Sequence, residues 1–65
     1  PARIEALHAE IRRLEALLAD PGLYRRDPKA FAASNAALEA ARSEIAAVEE
    51  AQLAAELRRE EIEGS

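Results

Sequence analysis

A chain of 65 residues with no Cys, and with 13 Asp or Glu against nine Lys or Arg, is too short for a second domain. It has neither a disulfide frame nor a thiolate site, and its net charge of −4 opposes wide contact with a phosphate backbone. Chains this small are stabilised by disulfides, a metal, a partner or very regular helix packing, and here only the last two remain available. Seventeen of the residues are Ala, so helix propensity is high and bulky core material is scarce. The longest bulky apolar run, Leu17-Leu18 between Ala16 and Ala19, is far short of the roughly 20 residues a membrane span needs. The chain begins at Pro1 without Met and lacks the basic-then-apolar pattern of a signal peptide; it is expected to be a fragment of a longer protein.

Pro1 suits a first helical turn, where its missing N–H has no partner to lose. The first predicted helix runs from about residue 2 to 19. Ile4, Leu7, Ile11, Leu14 and Leu18 recur in it at alternating gaps of three and four, the a/d seam of a coiled coil. Asp20-Pro21-Gly22 then stops it. Pro21 removes a donor and pushes Asp20 away from helical geometry, while Gly22 permits the positive φ that tight turns often need. Residues 20 to 27 form a corner, and Asp27-Pro28 starts the second helix with a capping carboxylate and Pro at the first position. That helix is predicted over about 28 to 63, with Phe31, Leu38, Ala41, Ile45 and Val48 resuming the seam.

A short connection turns neighbouring helices back on each other, so the expected fold is all-α, a two-helix antiparallel coiled-coil hairpin spanning the whole chain. Facing positions in such a pair keep a constant sum. At a sum of 52 the seams match: Leu14 with Leu38, Ile11 with Ala41, Leu7 with Ile45, Ile4 with Val48. At 1.5 Å per residue the helices are roughly 27 Å and 53 Å long, so residues 52 to 63 have nothing in the chain to lie against. Leu53, Leu57 and Ile62 are left over, and self-association through that segment is one way to cover them.

Charge is uneven. Residues 1 to 30 carry six basic against five acidic residues (net +1), and residues 31 to 65 carry three against eight (net −5). Any nucleic-acid contact must therefore come from the first half and the corner, where Arg25, Arg26 and Lys29 cluster above Arg12 and Arg13. Two readings stand side by side. These side chains grip phosphates, with Tyr24 stacking on an exposed base, or they form a solvated surface partly neutralised by Asp20 and Asp27, with Tyr24 folded against Leu18 and Phe31. For Tyr24, packing is the favoured reading.

Glu5 and His8 have the Glu-x-x-His spacing of di-iron bundles, but a single His cannot supply the second copy that such a site requires, and no metal is expected. Glu49, Glu50, Glu56, Glu60, Glu61 and Glu63 read as a solvated face, because two helices offer no cavity in which carboxylates could be driven to different pKa values. With no Gly-rich phosphate loop and no nucleophile–base pair, the fragment is not expected to be an enzyme and holds no cofactor.

The string from Pro1 to Leu7, with Leu14 to Asp20, the corner Pro21-Gly22-Leu23-Tyr24-Arg25-Arg26-Asp27-Pro28 and Lys29-Ala30-Phe31, resembles the C-terminal coiled-coil domain of ABC-F ATPases of the Uup type. The resemblance extends nearly over the whole chain. One departure is Gln52-Leu53-Ala54-Ala55-Glu56, where that family commonly has a Trp. The resemblance implies a cytoplasmic parent without a membrane domain, with two ATP-binding cassettes that use ATP and Mg. It also implies a further helical segment before Pro1, and a tail that contacts DNA or ribosomal RNA. A structural module that self-associates or spaces the cassettes is the alternative. An RNA-binding arm of some aminoacyl-tRNA synthetases shares the hairpin but not the Asp-Pro corner.

Overall fold

The computed structural model describes residues 2–64. Helix α1 spans Ala2–Leu18, a single helical turn α2 spans Leu23–Arg26, and α3 runs unbroken over Pro28–Gly64. Among the described residues there are helices and no strands, so the all-α expectation holds. The expected count of two helices needs correcting, because the corner itself coils into α2. The molecule is a rod of 60 × 16 × 14 Å with 5105 Å² of accessible surface. No helix among the described residues is long and apolar enough to cross a membrane.

The helix boundaries follow from the residues that stop them. α1 ends where Asp20 N–H donates to the carbonyl of Leu17 at 3.2 Å, a tightened last turn that leaves Pro21, which has no N–H, outside the ladder. α3 starts as expected: the carboxylate of Asp27 accepts from Ala30 N–H at 3.1 Å, its carbonyl accepts from Phe31 N–H at 3.0 Å, and Pro28 takes the first position. No Gly or Pro interrupts α3 before Gly64.

α1 packs along α3, and α2 packs on α3 at the corner. Leu7, Ala41 and Ile45 form one buried cluster with Ile11 set against it, the grouping that a sum of 52 requires, and Leu14 and Leu38 are both buried. Ile4, Leu18, Phe31 and Val48 are half-buried, as is Ser34, which occupies the seam position between Phe31 and Leu38. Arg3 with Glu44, and Glu15 with Arg42 at 2.9 Å, pair across the helices at the edges of this seam. All four side chains are largely exposed, so these pairs set register more than they add stability. Every residue from 49 to 64 is exposed, including Leu53 and Leu57 at 56% and 52%.

With so few buried side chains, each one matters. Leu14, at 2% exposure, is the most enclosed of the buried residues. Replacing it by Ala is expected to cost about 2 kcal/mol or more and to lower the melting temperature by about 10 °C or more, read by circular dichroism. Leu17→Ala, on the exposed side of the same turn, should leave the transition nearly in place; equal losses would mean that the seam has been misplaced.

Candidate nucleic-acid interface

The corner is built around one carboxylate. Asp20 accepts from Gly22 N–H at 2.9 Å through Oδ1 and from Arg26 Nη2 at 2.7 Å through Oδ2, while its carbonyl accepts from Leu23 N–H at 3.2 Å. These bonds fold the chain after Pro21 into α2, which closes with Arg26 N–H on the carbonyl of Gly22 and Asp27 N–H on the carbonyl of Leu23. Gly22 sits at φ −89°, ψ −9°, which corrects the expectation of a positive φ. It lies beside the guanidinium instead: a Cβ there would sit 3.0 Å from Arg26 Nη1. The Arg26 guanidinium, aided by the Gly22 N–H, holds the Asp20 carboxyl below its ordinary value of 3.8, and Asp20 in turn raises Arg26.

The expectation that Tyr24 folds inward against Leu18 and Phe31 also needs correcting. Leu23 is 6% exposed and closes the end of the rod, whereas Tyr24 remains 64% exposed. Tyr24 does meet Phe31 edge-on, with ring centroids 5.3 Å apart at 86°, so one edge of the expected packing is present while much of the ring faces solvent. Heptad spacing gave no signal for Leu23, because it lies off both seams in a segment that looked like an irregular turn.

The five cations fall into two groups. Arg26 is tied to Asp20, and Arg13 to Glu10 through two hydrogen bonds of 2.6 and 3.1 Å that lower the Glu10 carboxyl and raise Arg13. Arg12, Arg25 and Lys29 are exposed and make no ion pair among the described residues. Arg25 and Lys29 stand on α2 and the first turn of α3, and Arg12 lies about 10 Å down α1 from the corner. His8 is exposed, no group of three or more metal-ligating side chains occurs among the described residues, and these residues enclose no pocket.

A family model described as the ABC transporter C-terminal domain matches residues 1–57. The chain belongs to that family. No curated protein and no solved structure matches it. In this ABC transporter C-terminal domain, the matched span takes in α1, α2 and all of α3 that α1 covers, and it stops at Leu57.

Because Asp20 is stabilised in its charged form, its contribution to the corner is present at neutral pH and is lost as pH falls through its depressed pKa. A carbon-detected NMR titration should place the Asp20 midpoint below 3.8, and Arg26→Gln should move it upward. A midpoint unaffected by that substitution would show that the pair does not persist in solution.

Proposed function

We propose that this domain is the non-catalytic C-terminal arm of a cytoplasmic ABC-F type ATPase of the Uup type. In this reading it is an antiparallel coiled-coil hairpin that contacts DNA or ribosomal RNA through its basic corner. The observation that carries the reading is the allocation of charge. Arg3, Arg13, Arg26 and Arg42 each pair with a carboxylate, and Arg58 and Arg59 stand in a distal half of α3 where Glu residues outnumber them, whereas Arg25 and Lys29 at the projecting end, with Arg12 below them, make no ion pair among the described residues. Tyr24, which precedes Arg25 in α2 and is 64% exposed, offers a surface on which a base can stack. Arg26 supports the corner rather than the contact, since its guanidinium is committed to Asp20. In this reading ATP and Mg belong to the cassettes of the parent.

The corner is weakly cationic. Over residues 20 to 29, three basic side chains meet two Asp, net +1. That balance favours a second reading, a structural module that spaces the cassettes without touching nucleic acid. The two separate on salt dependence. Engaging two or three phosphates of duplex DNA should give affinity that falls about 10- to 40-fold between 50 and 200 mM salt, with little sequence preference. Arg25→Glu with Lys29→Glu should abolish binding, Tyr24→Ala should weaken it on single strands, and Glu60→Gln with Glu61→Gln should leave it unchanged or slightly tighter. Titration of labelled duplex and single-stranded oligonucleotides measures all four. Binding that survives the corner reversal, or no binding at low salt, would replace this reading with the structural module.

A further inference from the structure

The far end of α3 carries a second apolar stripe that is out of phase with the first. At 100° per residue, Leu53 and Leu57 lie roughly 130° around the helix from the line through Ala41, Ile45 and Val48 that faces α1. A helix continuing along the line of α1 would face Gln52, Ala55, Arg59 and Ile62 and would pass Leu53 and Leu57 by. Both Leu are more than half exposed. In the same stripe, one turn to either side, stand Glu50 and Glu60, and Glu49 and Glu61 flank it. All four Glu are exposed and make no ion pair among the described residues.

This pattern says what fits. A second copy can bring Leu53 and Leu57 together with their equivalents only by setting like charges against each other. Antiparallel pairing puts Glu50 opposite Glu60 of the other copy one turn from the apolar contact at both its ends, and parallel pairing puts each Glu against itself. A helix with two apolar side chains in its centre, and Lys or Arg one turn to either side, meets every feature of the stripe with its complement. We propose that the distal half of α3 is a docking surface for a basic amphipathic helix of another protein segment, centred on Leu53 and Leu57 and oriented by Glu50 and Glu60. The surface lies at the opposite end of the rod from the corner and on a different face from α1, so the proposal stands independently of nucleic-acid contact.

The test uses the 65-residue chain and two synthetic helical peptides sharing one Leu stripe, flanked by Lys in one and by Glu in the other. The Lys peptide should bind and the Glu peptide should not. Leu53→Ala with Leu57→Ala should weaken binding at least 10-fold while leaving the helical circular dichroism signal unchanged. Glu50→Lys with Glu60→Lys should invert the preference between the two peptides, a result that a general attraction to an acidic chain cannot produce. Equal binding of both peptides, or undiminished binding of the Lys peptide by the double Ala variant, would overturn the proposal. So would sedimentation showing that the wild-type chain self-associates and that the double Ala variant does not, which would assign the stripe to a second copy.

Discussion

The whole rod depends on one narrow strip of apolar contact between α1 and α3. A helix of 17 residues is marginal in water on its own, and α1 has only Leu7 and Leu14 buried, with Ile4, Ile11 and Leu18 half-covered beside them. Full burial of a Leu or Ile side chain is worth about 1.5 to 3 kcal/mol, so a few such residues provide most of what holds α1 in place. Ala41, the small residue of this seam in α3, forms the buried cluster with Leu7 and Ile45 against which Ile11 packs. Stability is therefore concentrated between the corner and Val48, and the remainder of α3 relies on its own backbone ladder.

The corner solves two problems with one group. The chain must reverse within a few residues, and the first donors after Pro21 must find acceptors. The Asp20 carboxylate accepts from Gly22 and Arg26, and by doing so removes Arg26 from the pool of free cations. The same side chains that shape the turn thus decide which charges remain for a ligand. Arg25 and Lys29 are left over because no carboxylate is placed to meet them.

Much of this was legible in the sequence because seams and stop signals are periodic or local. The alternation of three and four from Ile4 to Leu18 and from Phe31 to Val48, together with Pro21 and Asp27-Pro28, located α1 and α3 to within a residue or so, and the mismatch in length exposed Leu53 and Leu57 in advance. The corner was less legible. Four residues of α2 carry no periodicity, and the Asp20–Arg26 bond spans a gap of six across a turn, a spacing that no regular element brings together. Tyr24 meets Phe31 without being enclosed, because in a single turn of helix only one face can look inward, and Leu23 occupies it. The sequence sets Arg25, Arg26 and Lys29 at the corner above Arg12 and Arg13, with Asp20 and Asp27 nearby, but sequence adjacency does not reveal which of these cations already holds a carboxylate.

The elongated form has a thermal consequence. A compact monomer of 7.1 kDa exposes about 4,100 Å², and this rod exposes 5105 Å². Less surface is therefore uncovered when it unfolds than a globular chain of equal length would uncover. The heat-capacity increment and the denaturant sensitivity both scale with that uncovered area, so both are small. The stability curve of such a molecule is flat: it loses little on cooling, and on warming it gives way over a wide interval rather than at a sharp point.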